Sequence, residues 1–322
     1  MKAIVQDSYG PADVLELRDV ESPRIGDDEV LVRVHAASVD RAVAHLMSGK
    51  PYLVRLMGFG LRRPKAPTPG TGLAGRVETA GKDVTRFRPG DEVYGTGDGA
   101  FAEYARAKAD KLAPKPASVT FEQAAAVPHG GFTALQALRD QGKVQEGQSV
   151  LIVGASGAVG TAAVQLAKAF GATVTGVCST VKVDLVRSLG ADHVLDYTRD
   201  DFADGTNRYD VILDVGGNSQ LSRLRRALTP TGTLVIVGGE GGGQWIGMGR
   251  QFRAITLSPL VGQKLRVFVA KERADDLRTL SELLEDGVLT PVVDRTYPLV
   301  EAGDAIRRLE AGDARGTIVL TV

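Results

Sequence analysis

The 322-residue chain has a single cysteine, Cys178, which excludes an intramolecular disulfide and any four-cysteine zinc site. It also lacks an apolar run near the roughly 20 residues that a spanning helix needs. Its start, Met1-Lys2-Ala3-Ile4-Val5, lacks the apolar stretch and cleavage site of a secretory signal and reads as a strand. An excess of either charge is missing too: 39 basic residues face 39 acidic ones, so neither nucleic acid nor a strongly charged surface is expected as partner. These absences leave a soluble globular protein, expected in the reducing cytoplasm, away from membranes and long enough for two domains.

What is there divides into two patterns. The first 120 residues or so read as short strands and turns. Val30, Val32, Val34 and Ala36 alternate with Arg33 and His35, the period of a half-buried strand over 29–37. Arg88-Pro89-Gly90-Asp91 signals a turn, with strands expected at 92–94 and 101–105. Residues 50–69, with four prolines, read as a mobile loop. From about Phe121 apolar strands alternate with helices: strands at 150–153, 172–177, 193–195, 211–215, 234–237 and 265–269, helices at 159–170, 182–189 and 219–228. That alternation predicts an α/β fold with a doubly wound parallel sheet covered on both faces. A helix over 273–285 follows, then strands return over 292–322 around a helix at 302–309, a tail able to close back onto the N-terminal domain.

The informative local motif follows the apolar run 150–153. Gly154, Ala155, Ser156, Gly157, Ala158, Val159 and Gly160 form a small-residue turn into a helix that presents Val159, Ala162, Ala163, Leu166, Ala167 and Phe170 on one face. Small residues let backbone approach a pyrophosphate, Gly160 lets helix pack against strand, and the helix start offers free N–H groups to an anion. The usual first glycine is replaced by Ala155. With a strand before and an amphipathic helix and second strand after, the motif reads as a Rossmann dinucleotide loop. Two rivals fare worse. A ligand-free tight turn does not need three glycines in seven residues, and a hydrolase nucleophile elbow at Ser156 requires glycine where Ala158 stands.

An NAD site places an acid about 20 residues beyond the loop, on the ribose hydroxyls. Here the second strand runs into Cys178, Ser179 and Thr180, with Lys182 beyond and no acid before Asp184. Hydroxyls and an ammonium suit a 2′-phosphate, so NADP(H) is the expected cofactor, although Lys182 could also be a solvated residue of the next helix.

The run GASGAVGTAAVQLAKAFGATVTGVCST followed by LGADHVLDY resembles the medium-chain dehydrogenase/reductase superfamily, in its zinc-free quinone oxidoreductase-like branch. The likeness extends through VHAASVD at 34–40, PGDEVYG at 89–95, GAFAEYA at 99–105, LTPTGTLVIVGG at 228–239 and the terminal GTIVLTV. It implies a GroES-like, mainly β substrate domain from 1–122 and 271–322, around a Rossmann domain at 123–270. It further implies Ser179, Lys182 and Tyr197 around the 2′-phosphate, Thr133 near the nicotinamide, and Gly238 and Gly239 beside the cofactor. It also implies a homodimer, and the last sheet strand, expected at 265–269, offers the uncovered edge for one.

Zinc members of the superfamily polarise a carbonyl with a Cys/His-bound metal. The only cysteine here lies in the cofactor domain and the histidines scatter at 35, 45, 129 and 193, so no metal is expected and each histidine reads as a strand or surface residue. Hydrogen-bond donors must then meet the charge that develops on a small-molecule acceptor, a quinone, enone or other reactive carbonyl. His45 and Tyr52 are candidates, as is Asp40, though His45 could simply face solvent and Tyr52 anchor the loop. Departures gather here. Asp40, Arg41 and Val43 replace the family's Asn-Pro-x-Asp pattern, Leu73 is read as replacing the acid of a PGTD-x-AG stretch, and His129 and Gly130 replace small apolar residues. A metal-free alcohol dehydrogenase and a non-catalytic NADPH-binding protein therefore stay open as alternatives.

Overall fold

Nearly unbroken apolar strands need cover on both faces, and the middle of the chain supplies it with intervening helices. In a computed structural model that describes residues 1–52, 55–238 and 249–322 (Met57 without its side chain), the chain divides into two compact units. One comprises Met1–His129, Glu272–Gly287 and Pro291–Val322; the other comprises Gly130–Lys271 and Val288–Thr290.

The second unit holds six parallel strands: β1 (Ser149–Val153), β2 (Thr173–Cys178), β3 (His193–Asp196), β4 (Tyr209–Asp214), β5 (Leu228–Ile236) and β6 (Lys264–Val267). Their order is β3-β2-β1-β4-β5-β6, the doubly wound Rossmann arrangement. Connections leave β1 in opposite senses from its neighbours, so a crevice opens at the carboxyl ends of β1 and β4. Leu151, Ile212 and Leu234 fill one face against Leu224 of helix Leu221–Ala227. β6 is an edge strand and ends at Val267, two residues before its expected end, leaving Val269 exposed.

The first unit is a mainly antiparallel sheet. Strands Val293–Pro298, Thr317–Thr321, Glu29–Val39, Gly72–Ala80, Glu92–Thr96 and Leu112–Pro114 lie in that order, and Tyr104–Lys108 also pairs with Glu29–Val39. The alternation read in the sequence buries Val30, Val32 and Val34. Ile318 pairs with Val39 and Leu320 with Ala37, so the C-terminal tail closes this sheet.

Three sequence expectations need correction. The strand expected over 101–105 forms at Tyr104–Lys108, because Phe101 is drawn into the core and Ala102 bridges to Ala3. The first unit continues past residue 122 to His129: helix Phe121–Ala125, started by a Thr120/Gln123 capping box, packs on Glu29–Val39 and Gly72–Ala80. Within the expected loop, Arg55–Phe59 coils into a π-helical turn that breaks at Gly58, φ 102°.

Candidate functional site

The glycine loop is held from both ends. N–H groups of Gly154 and Ala155 donate to Val177 O at the end of β2, at 3.1 and 3.0 Å. Gly154 has φ +89°, a conformation that suits glycine, and a Cβ there would lie 2.8 Å from Gly216 N. A Cβ on Gly160 would come within 2.1 Å of Gly154 O, so only glycine lets the helix start this close to the turn. Helix Ala158–Ala169 begins after Gly157, which has no capping side chain. The first-turn N–H groups of Ala158, Val159 and Gly160 are therefore open to an anion. Ala155 and Ser156 are buried, and a Cβ on Gly157 would meet nothing nearer than 4.0 Å. This cradle fits a dinucleotide pyrophosphate. Gly130 contributes to it: a Cβ there would lie 2.7 Å from Ala158 O, so its place in the sequence is set by the close crossing of helix Pro128–Gln136. Thr133 lies half-buried on the same helix.

The ends of β2 and β3 bring Ser179, Thr180, Lys182 and Tyr197 into one region. Cys178 pairs with Asp196 in register, and the Tyr197 N–H donates to Cys178 O at 3.0 Å while its ring stays exposed. Sequence reasoning missed Asp196, which lies in the LGADHVLDY run. Its buried carboxylate accepts from Thr180 Oγ1 at 2.5 Å and from Thr198 N–H and Oγ1 at 3.0 and 2.8 Å. Arg199 lies 3.7 Å away. The Thr180 hydrogen bond leads in holding this carboxyl below its ordinary range. Burial, then the Asp196 charge, push the Cys178 thiol up to about 11, while Lys182 pulls the other way. The acid near this region is thus spent on local donors, and the charge of Lys182 is felt at Cys178.

At the end of β4, Asp214 is fully buried. Arg250, from helix Gly249–Leu257, pairs with it and also donates to Ser219 O and Gly238 O, both at 2.9 Å. Burial raises the Asp214 pKa, against the opposing pull of Arg250. Gly238 packs so closely on the β4 loop that a Cβ would sit 2.2 Å from Val215 O. Gly239, the other glycine expected beside the cofactor, lies outside the described residues.

In the first unit a polar cluster surrounds His129. Asp40 caps helix Arg41–Ser48: Val43 N–H donates to Oδ1 at 3.0 Å. Its other oxygen, Oδ2, is buried and lies 3.4 Å from His129 Nε2. The same Nε2 is 2.7 Å from Thr71 Oγ1. Counted from Pro69, the place of the family acid in PGTD-x-AG is Gly72 rather than Leu73, which is a fully buried core residue. A Cβ on Gly72 would sit 2.2 Å from Ser38 Oγ and 3.1 Å from His129 Cδ2, so the absence of a side chain at 72 makes room for the imidazole. His129, read from sequence as an ordinary strand or surface residue, is instead a helix residue at the centre of this cluster.

The other candidates stand apart from it in kind. His45 is exposed, with Nδ1 3.0 Å from Lys50 O. The Tyr52 ring carries the Arg55 guanidinium 4.8 Å above it, and Arg55 stacks on Tyr9 as well. Among the described residues no group of three or more His, Cys, Asp or Glu could hold a metal.

A doubly wound sheet with an open glycine loop, in a chain whose other unit is built on a GroES-like sheet, is the construction of a nicotinamide-dependent oxidoreductase. Residues 26–117 match the family described as alcohol dehydrogenase GroES-like domain, and residues 189–320 the family described as zinc-binding dehydrogenase. The chain is 31% identical to the quinone oxidoreductase of Homo sapiens, over 99% of this chain and 97% of that protein. It is 33% identical to the chloroplastic NADPH-dependent alkenal/one oxidoreductase of Arabidopsis thaliana, over 99% of this chain and 79% of that protein. The solved quinone oxidoreductase of Coxiella burnetii superposes with a TM-score of 0.89 at 30% identity, covering 100% of this chain and 99% of that one. The protein belongs to the medium-chain dehydrogenase/reductase superfamily, in its quinone oxidoreductase-like branch, and is an NAD(P)H-dependent oxidoreductase.

Proposed function

We propose that the protein is an NADPH-dependent reductase acting on a quinone, an enone or another reactive carbonyl, without a metal. The observation that carries the cofactor choice is the end of β2, where Ser179, Thr180 and Lys182 stand and the neighbouring Asp196 is occupied by Thr180 and Thr198. Lys182 and Ser179 would hold the 2′-phosphate, with Tyr197 beside it, and the N–H groups after Gly157 the pyrophosphate. When bound, NADPH supplies the hydride. The protein's part is to orient the dinucleotide through the glycine loop, to exclude water, and to offer donors to the acceptor oxygen. Metal-free chemistry is supported by the donor set: the single cysteine ends β2, among the described residues no metal-binding group forms, and the polar cluster of the first unit holds one histidine.

NADPH and NADH oxidation against a panel of quinones and enones tests this. Turnover with NADPH at much lower KM than with NADH is expected. Equal use of both cofactors removes the NADPH assignment. Tight NADPH binding with no turnover favours a binding protein, and alcohol-driven NADP reduction a dehydrogenase. A homodimer through the β6 edge belongs to the same reading, supported by exposed Phe252 and Ile255 on the helix that packs on β6. Sedimentation at micromolar concentration tests it, with only monomer as the opposing result. Cytoplasmic residence is likewise proposed, to be checked by cell fractionation; no helix among the described residues is long and apolar enough to cross a membrane.

A further inference from the structure

We propose that Asp196, acting through Thr180, is the positioning residue that lets the end of β2 discriminate for a 2′-phosphate; this rests on the NADPH reading above. In an NAD site the acid beyond the glycine loop accepts from the ribose 2′-hydroxyl, and a carboxylate left open there repels a phosphate. Asp196 ends the adjacent strand β3, in register with Cys178. Its carboxylate is not left open. It grips the turn Thr180–Lys182, which Ser179 precedes.

That turn has no cap of its own. Ser179 makes no capping side-chain hydrogen bond, and none starts helix Val183–Ser188, which follows. Instead Thr180 Oγ1 donates to Asp196 Oδ2 at 2.5 Å and lies 3.2 Å from Thr198 Oγ1. Thr198 in turn donates to Oδ1 through both its N–H and its hydroxyl. The backbone of Asp196 is fixed as well: its N–H donates to Asp200 Oδ2 at 2.9 Å, and its carbonyl accepts from Asp200 N–H at 2.7 Å. Thr180 is exposed, so water would serve its hydroxyl equally well. Asp196 is 7% exposed and is the partner that needs the bond, because losing it leaves a buried oxygen unpaired. Arg199 Nε, 3.7 Å from Oδ2, meets the remaining charge. The acid is therefore turned into a fastener, and the Ser179 hydroxyl is not spent on a cap.

All of these residues belong to the second unit, together with the glycine loop. Val177 O, one residue before Cys178, accepts from the N–H groups of Gly154 and Ala155. A Cβ on Gly176 would lie 3.1 Å from Ala155 Cβ and 2.5 Å from Val186 Cγ1, so the loop, β2 and helix Val183–Ser188 pack at one point. Ser179 follows Val177 by two residues, at most about 7 Å of extended chain, comparable with the span of a ribose from its 5′ to its 2′ oxygen. The turn is thus anchored near the loop on either side, by Val177 and by Val186, and Asp196 fixes its middle. Releasing Thr180 frees Ser179 and Lys182 from a common frame and leaves the pyrophosphate cradle as it is.

Calorimetric titration of the whole protein with adenosine 2′,5′-bisphosphate and with 5′-AMP separates the 2′-phosphate from the rest of the nucleotide. Wild type should bind the bisphosphate at least about 10-fold more tightly than 5′-AMP. Thr180→Val, nearly isosteric and at an exposed position, should lower bisphosphate affinity about 10-fold and leave that for 5′-AMP within about 2-fold. Asp196→Ala should do the same, and the double variant should lose no more than either alone, since both break one connection. Asp196→Asn, whose carboxamide can still bond Thr180 and Thr198, should recover most of the bisphosphate affinity. Bisphosphate affinity within about 2-fold of wild type in both Thr180→Val and Asp196→Ala overturns the proposal, as do losses that simply add in the double variant. A parallel loss for both ligands also overturns it, because a merely structural role loosens the whole adenosine site. So does tighter bisphosphate binding in Asp196→Ala, which would make the carboxylate only a repelling charge. Wild type that binds the bisphosphate no more tightly than 5′-AMP overturns the NADPH reading itself.

Discussion

Arg250 reaches from helix Gly249–Leu257 to close an ion pair on Asp214, whose side chain is fully buried where β4 ends. The same guanidinium satisfies Ser219 O and Gly238 O, so one side chain fastens the β4 loop, the β5 loop and the helix. Removing it strands a carboxylate in a low-dielectric site. Arg250→Ala should cost about 3–5 kcal/mol of unfolding free energy by denaturant titration. Arg250→Lys should recover only part, since an ammonium lacks the planar fork that reaches several acceptors. Loss below about 1 kcal/mol in the alanine variant, the range of an exposed pair, would show that the pair contributes little.

The two carboxylates at strand ends should respond oppositely to acid. Asp196 has a folded pKa below its ordinary value of 3.8, so its contribution is present above that value and lost as pH falls through the lower folded pKa. Asp214 has a raised folded pKa, so its proton linkage favours the folded state most below 3.8 and this is lost as pH rises through the folded value. Asp196→Asn should flatten the acid limb of a stability-versus-pH curve. Asp214→Asn should leave that limb in place. Identical curves for Asp196→Asn and wild type would remove the first assignment.

Gly160→Ala and Gly130→Ala each place a methyl against backbone of the cofactor loop, 2.1 Å from Gly154 O and 2.7 Å from Ala158 O. Both atoms belong to backbone that cannot swing aside. NADPH binding measured by calorimetry should fall at least about 10-fold in each, a loss of about 1.4 kcal/mol. Full affinity in Gly160→Ala would mean that the dinucleotide does not use this turn.

Lys182→Glu replaces the ammonium beside β2 with a charge that repels a 2′-phosphate. NADPH affinity should fall by about 10-fold or more and NADH affinity should hold, which reverses any preference between them. Fluorescence titration of both nucleotides checks this. A parallel loss for both would make Lys182 a structural residue of its turn.

How much of this was legible in the sequence depended on the range of the interaction. The strands of the second unit announce themselves because burial on both faces demands runs such as Val150–Val153, and the glycine loop because backbone proximity demands glycine at Gly154 and Gly160. Edges were less clear. Phe101 has the composition of a strand residue, yet packs in the core, and pairing starts at Tyr104. The site residues missed were those defined through space. Thr71 and His129 are 58 positions apart and Thr180 and Asp196 are 16 apart, and no local pattern marks either pair. Asp40 was legible as a candidate beside His45 and Tyr52, but neither its helix cap nor the atom 3.4 Å from its other oxygen was.

Gln165 grips the returning chain as a strand partner would. Its amide nitrogen donates to Thr290 O at 3.0 Å and its oxygen accepts from Thr290 N–H at 2.8 Å, which draws Val288–Thr290 into the second unit. A gene fragment that stops at Lys271 would thus encode a dinucleotide module missing three residues, with the Gln165 carboxamide facing a notch. Anyone transplanting this module into a fusion protein would need to carry that tripeptide along, or trade Gln165 for an apolar residue.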